Sequence, residues 1–145
     1  MAKILVVDDE RSIRNSMKEV LEFEGHVVTL AEDGETGLKE AEKEQFDLVF
    51  SDIKMPKMDG IELLAKMRQL QPSTKMILIS GHGTIETAVQ CMRNGAFDFI
   101  EKPMNLNRLL QAVKEAMSSN SAESSNLRAA ISNGVKKATG GVVDD

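Results

Sequence analysis

Within its first 117 residues this chain repeats one unit five times, a short apolar run followed by a segment of helical period, and nothing else in it restricts the fold so strongly. The runs are Lys3–Val7, His26–Leu30, Leu48–Phe50, Met76–Ile79 and Ala96–Ile100. Bounded apolar runs of this length read as buried strands. Lys3–Val7 has no apolar-polar alternation, so both of its faces are expected to be covered. Between the runs, Ile13, Met17, Val20 and Leu21 share one helix face that Gly25 closes. Asp33-Gly34 turns into a helix carrying Leu38 and Ala41, and Asp59-Gly60 opens one with Ile61, Leu64, Ala65 and Met67 inward, closed by Gln71-Pro72. Ile85, Ala88, Val89 and Met92 form the next face, capped by Asn94-Gly95. Met104 or Asn105 begins the last helix, with Leu106, Leu109, Leu110, Val113 and Met117 facing in.

Such alternation implies an α/β domain, a parallel sheet with helices on both faces joined by right-handed crossovers. For a five-stranded, doubly wound, flavodoxin-like sheet the usual order is 2-1-3-4-5. One domain over residues 1–117 is expected. From Ser118 the composition turns polar, so residues 118–145 read as a flexible tail or linker, with one or two helical turns at Leu127–Ile131. There is no Trp or Tyr, which argues against a flavin or single-stranded nucleic acid pocket built on stacking. A net charge of −5 argues against nucleic acid binding by this chain. Cys91 is the single cysteine, so no internal disulfide forms; a reduced, partly packed thiol is expected. No apolar run approaches a membrane span, and the chain enters its first strand without a leader, so a cytoplasmic location is expected.

Three of the runs end in residues that carry chemistry. Phe46 to Phe50 leads into Ser51-Asp52, and Met55-Pro56 prevents a helix from starting at once. A carboxylate there stands at the sheet rim where ligands bind in open parallel sheets, its backbone fixed and its side chain in solvent. Asp8 and Asp9 end the first strand, a neighbour of the third in that order. Three carboxylates so close repel one another, and Mg²⁺, which takes one or two carboxylates, waters and phosphate oxygens, is the natural compensation. Asp8-Asp9 also suits plain helix capping; its pairing with Asp52 favours the metal. Lys102 ends the fifth strand at the same rim, where its ammonium offsets surplus charge and holds a phosphoryl oxygen. A solvated lysine is the alternative, and Pro103 weighs against it, since Lys-Pro fixes the backbone and admits a cis bond. Ser80 ends the fourth strand and offers a hydroxyl to a phosphate oxygen, or is an ordinary loop serine. These ends are expected to converge, with Asp52 receiving a phosphoryl group.

Taken together, Val6-Val7-Asp8-Asp9-Glu10, Ser51-Asp52-Ile53-Lys54-Met55-Pro56 with Met58-Asp59-Gly60, Ile79-Ser80-Gly81-His82-Gly83 and Glu101-Lys102-Pro103 resemble the receiver domains of two-component response regulators. The resemblance covers about residues 3–117. The Ser-Gly-His-Gly loop and Ala96-Phe97-Asp98-Phe99-Ile100 are most similar to receivers of nitrogen-regulatory, enhancer-binding activators. It implies that Asp52 accepts a phosphoryl group from a sensor histidine kinase or phosphotransfer protein. It further implies that Asp8 and Asp9, with Asp52 and the Lys54 backbone carbonyl, hold Mg²⁺, and that Ser80 and Lys102 bind the phosphoryl group. Phe99 matches the aromatic that moves inward on activation, with simple core packing as the alternative. Lys54 and His82, each two residues past a key position, are expected to tune the lifetime of the modification; His82 is otherwise a solvated loop residue. The family's usual contact surface, helix four, strand five and helix five, is an expected homodimer face. No DNA-binding, ATPase or enzymatic segment is legible after residue 117, so the output, expected to be transcriptional, lies in a partner or a longer chain. The only catalysis expected is of the chain's own phosphorylation and dephosphorylation.

Two other classes fit less well. An aspartate-nucleophile phosphatase needs a second acid two residues past its nucleophile, where this chain has Lys54. A flavodoxin-type electron carrier needs Ser, Thr or Gly in its first loop, where this chain has Asp-Asp-Glu.

Overall fold

The computed structural model describes residues 1–118. In order they form β1 (Lys3–Val7), α1 (Arg11–Phe23), β2 (Val27–Ala31), α2 (Gly34–Lys43), β3 (Leu48–Asp52), α3 (Gly60–Leu70), β4 (Lys75–Ser80), α4 (Ile85–Arg93), β5 (Asp98–Glu101) and α5 (Leu106–Ser118). The five strands are all parallel, in the order β2-β1-β3-β4-β5. The expectations for the tail, including the helical turns at Leu127–Ile131, lie outside the described residues.

Period-two alternation divides the core between the two faces of the sheet. Ile4 and Val6 of β1, with Leu48, Phe50, Ile77 and Ile79, pack against Met17 and Leu21 of α1 and Leu109, Ala112, Val113 and Ala116 of α5. Leu5 and Val7 point the other way, with Val49 and Leu78, to Ala41 of α2, Leu63, Leu64 and Met67 of α3 and Cys91 and Met92 of α4. Both faces of β1 are covered, as its sequence requires. Each fully buried aliphatic side chain contributes about 1.5–3 kcal/mol, while exposed pairs such as Lys18–Glu22 contribute about 1 kcal/mol or less. Burial therefore decides the fold.

Several expected positions shift, each for a traceable reason. Helices α1 and α4 end alike: Gly25 (φ +93°) and Gly95 (φ +101°) take the left-handed conformation, and the N–H of the next residue bonds three residues before the C-cap, His26 to Leu21 and Ala96 to Cys91. That closure uses up His26 and Ala96, so β2 begins at Val27 and β5 at Asp98. In α3 the inward face is Gly60, Leu63, Leu64 and Met67, with Ala65 exposed and Ile61 half-buried. The phase is set by Gly60, where a Cβ would collide with the Asp52 backbone oxygen. Ile85 is 83% exposed, because α4 meets the core only with its second half, Val89, Cys91 and Met92. Cys91 is fully buried rather than partly packed. In α5 Leu106 and Met117 are exposed, and Ala112 and Ala116 join Leu109 and Val113 inside. Small side chains there let the helix lie close to the sheet.

At the sheet end opposite the chemistry-bearing residues, buried Gln71 joins the end of α3 to the end of α2 and to the segment that enters β3. Its Nε2 donates to Ala41 O at 2.7 Å and Glu44 O at 2.8 Å. Its Oε1 accepts from the Phe46 N–H at 3.0 Å. Replacing it with Leu strands one buried donor and two carbonyls, so Gln71→Leu is expected to lose about 2–4 kcal/mol of unfolding free energy in urea denaturation. A loss below about 1 kcal/mol would show that the network is dispensable.

Candidate functional site

The C-terminal ends of β1, β3, β4 and β5 meet at one rim. Asp8 is held there by three bonds. Its backbone N–H donates to Ala31 O at 3.2 Å, its carbonyl accepts from Arg14 Nη1 at 2.6 Å, and its Oδ1 accepts from the Glu10 N–H at 2.8 Å. Its other oxygen, Oδ2, is buried and accepts no hydrogen bond. Asp52 ends the fully buried strand β3. Its carbonyl accepts from Ser51 Oγ at 2.9 Å, while Ile53 donates to Ile79 O at 2.9 Å and accepts from the Gly60 N–H at 2.8 Å. The sequence places its side chain in solvent; in the structure Asp52 is only 5% exposed, because β3 is the middle strand and Gly60 closes down on its end.

Lys102, after β5, reaches across to both acids. Its Nζ lies 3.3 Å from Asp8 Oδ2 and 3.5 Å from Asp52 Oδ2, and its side chain is 16% exposed. A third carboxylate, Glu10, comes within 3.4 Å from the solvent side. Asp9 is exposed, yet Asp8, Asp9 and Asp52 each bring a carboxylate oxygen within 4.8 Å of the others. Burial pushes the Asp52 carboxyl up to about 6, and the Asp8 charge adds to this, against the pull of Lys102. Burial also raises Asp8, partly countered by the Glu10 N–H and Lys102. For Lys102 burial acts downward, but the Asp8 and Asp52 charges outweigh it and hold the ammonium above its ordinary value.

These residues suit a hard divalent cation. All three side chains offer carboxylate oxygen, the donor type Mg²⁺ prefers. Asp8 Oδ2 is a buried oxygen with charge contact from Lys102 but no donor of its own, the kind of group that a cation satisfies.

The remaining residues named from sequence lie around this centre. Ser80 is buried at the end of β4, and its Oγ accepts from the His82 N–H at 3.0 Å. The Lys102 N–H donates to Ser80 O at 2.8 Å, joining β4 and β5 at the rim. Lys102-Pro103 is cis. Lys54 and the His82 side chain are exposed, on the loops that leave β3 and β4. Phe99 is half-buried; its ring lies so close to Gly83 that a Cβ there would come within 3.0 Å of it. Sequence reasoning missed Glu10 and Arg14 as partners of the centre. It also missed Arg108, whose Nη2 donates to Asp98 Oδ2 at 3.0 Å and Phe99 O at 3.1 Å, tying α5 to β5. Only Glu10 carried a signal, as the third acid of Asp-Asp-Glu; a helical arginine carries none.

Comparison with known proteins gives a consistent result. Residues 4–114 match the family described as response regulator receiver domain. The chain is 40% identical over 116 residues to the nitrogen assimilation regulatory protein NtrX of Azorhizobium caulinodans, covering 79% of this chain and 26% of that protein. It is 39% identical over 113 residues to the C4-dicarboxylate transport transcriptional regulatory protein DctD of Rhizobium meliloti, covering 78% and 25%. Among solved structures, the receiver domain of NtrX from Brucella abortus aligns with a TM-score of 0.75 at 41% identity, over 80% of this chain and 99% of that one. A CheY-like receiver domain protein from Methanospirillum hungatei JF-1 aligns at 0.76 and 42%, over 79% and 92%. The chain spans about a quarter of the length of these curated relatives.

The charge balance at the rim has a measurable consequence. Folding raises the Asp52 pKa from 3.8 to about 6, so the folded state holds that proton more tightly. The stability this confers is complete below about pH 4 and is lost as pH rises through 6. Two pKa units correspond to about 3 kcal/mol. In metal-free buffer, Asp52→Asn is expected to exceed the parent in stability by about 2–3 kcal/mol at pH 7.5, with the gap closing toward pH 4.5. Urea titrations of both proteins at both pH values test this, and a gap independent of pH would contradict it.

Proposed function

The chain belongs to the response regulator receiver domain family, and from that membership we propose that it takes a phosphoryl group on Asp52 from the phosphohistidine of a sensor kinase or phosphotransfer protein. One observation carries this reading above the rest: Lys102 Nζ stands 3.3 Å from Asp8 and 3.5 Å from Asp52, where it can neutralise phosphoryl oxygens as they arrive. An Asp52 oxygen forms the new bond to phosphorus while the bond from phosphorus to the donor's imidazole breaks. The donor's ring, protonated on its other nitrogen, takes the electron pair of that bond and leaves as the neutral imidazole, and Asp52 must be ionised to attack. Such transfer is mostly positioning and charge neutralisation.

Asp8, Asp9 and Asp52, with the Lys54 backbone carbonyl, would hold Mg²⁺, and the orphaned Asp8 Oδ2 supports that assignment. The ion, when bound, supplies positive charge to the non-bridging phosphoryl oxygens. Ser80 gives up its contact with the His82 N–H to donate its hydroxyl to the phosphoryl group. Phe99 then moves into the space released. Lys54 and His82 flank the approach of hydrolytic water and set the lifetime of the acyl phosphate. Activity is confined to this self-directed phosphorylation and dephosphorylation.

Residues 1–117 act as the receiver and 118–145 as a linker to a transcriptional output, as the names of the relatives suggest. The α4-β5-α5 face is the surface for a second copy, and this domain itself makes no nucleic acid contact. Among the described residues no helix is long and apolar enough to cross a membrane; the reading places the domain in the cytoplasm.

Incubation with acetyl phosphate and Mg²⁺, followed by intact-mass measurement, is expected to add one phosphoryl group to the parent and none to Asp52→Asn. Equal labelling of both proteins would sink the assignment. Once labelled, Lys54→Ala and His82→Ala are expected to change the half-life of the phosphoryl group severalfold; unchanged decay in both would remove them from the lifetime role.

A further inference from the structure

Around Lys102 the sequence supplies one carboxylate more than the proposed chemistry uses. Asp8 and Asp52 approach Nζ from inside, at 3.3 and 3.5 Å, and Glu10 approaches from outside at 3.4 Å. The distances are nearly equal, so no single acid holds the ammonium. The Glu10 side chain is 59% exposed and the Lys102 side chain 16%, so Glu10 meets the ammonium from the solvent side. Its backbone is fixed, since Glu10 is the N-cap of α1 and its N–H is committed to Asp8 Oδ1. The side chain makes no capping bond to the helix. A residue whose main chain aims Asp8, and whose carboxylate is free of any helical duty, is well placed to act on the lysine.

We propose that Glu10 is a positioning residue that competes for Lys102 and restrains phosphoryl binding by engaging the ammonium from the solvent side. This rests on the receiver reading given above. An incoming phosphoryl group, itself anionic, must win Lys102 from Glu10 as well as face the charge Glu10 adds at the rim. Removing that competitor frees the lysine without touching the acids that would bind metal.

Three proteins test it: the parent, Glu10→Gln and Glu10→Asp. Glu10→Asp keeps the charge on a shorter arm that stops short of Nζ. In Mg²⁺ buffer the concentration of acetyl phosphate giving half-maximal labelling of Asp52 is expected to fall about two- to fivefold in both variants, the range an exposed ion pair spans. Mg²⁺ affinity, followed by amide chemical shifts in titration, stays within about twofold of the parent, since Glu10 is outside the ligand set. In metal-free protein the Lys102 side-chain ¹⁵N resonance moves in both variants. Parent-like labelling by Glu10→Asp would mean that rim charge alone acts and would overturn the proposal, as would parent-like labelling by Glu10→Gln. A tenfold or larger loss of Mg²⁺ affinity in Glu10→Gln would overturn it by making Glu10 a ligand. If no protein is labelled, the receiver reading fails, and the Lys102 resonance still decides the contact: an unmoved signal overturns it.

Discussion

Two carboxylates, Asp8 and Asp52, leave water at the ends of adjacent strands, and one ammonium, Lys102, follows them from the far side of the sheet. Leaving a buried charge without its partner costs about 3–5 kcal/mol, so this triangle is the most demanding electrostatic feature of the fold. It is also under-compensated. Asp9 adds a further negative charge nearby, Asp8 Oδ2 lacks a hydrogen-bond donor, and the Asp52 carboxyl is pushed up to about 6. A rim in this condition is set up to gain a cation.

The surrounding architecture keeps the triangle in place. Five parallel strands deliver their C-terminal ends to one rim, and burial of β1 and β3 on both faces leaves their last residues little freedom. Gly60 closes on the backbone of Asp52, so the start of α3 is packed directly against the end of β3. On the other side, the Lys102 N–H holds the Ser80 carbonyl, and the Phe99 ring rests on Gly83 in the loop that follows Ser80. A shift of that loop is therefore felt directly by Phe99. Arg108 extends the linkage, joining the Phe99 carbonyl and Asp98 to the first turn of α5.

Much of this was legible in the residues. Apolar runs separated by helical periods imply a parallel sheet covered by helices on both faces, for which 2-1-3-4-5 is the usual order, and Asp8, Asp52, Ser80 and Lys102 all emerge at strand ends as their positions imply. What the pattern concealed has physical causes. The exposure of Leu106 and Met117 follows from the phase of α5, which the small residues Ala112 and Ala116 decide through close approach, and that of Ile85 from α4 meeting the core only with its second half. The starts of β2 and β5 slipped because His26 and Ala96 complete helix C-caps, a backbone demand that apolar character does not display. Gln71 looks like a helix terminator in sequence, and only the fold shows its buried amide joining the end of α3 to the end of α2 and to the segment that enters β3. The burial of Asp52 is likewise a property of the middle strand, invisible until neighbours are placed on both sides.

The proposed phosphoryl chemistry depends on a cation being captured among these acids. Crystals soaked in Mn²⁺, which substitutes for Mg²⁺ at oxygen sites, allow its position to be read from an anomalous difference map. One strong peak is expected between Asp8 and Asp52, about 2.0–2.3 Å from a carboxylate oxygen of each, and absent from Asp52→Asn crystals treated alike. An ordered rim with no peak, or a peak bound only by other acids, would contradict it.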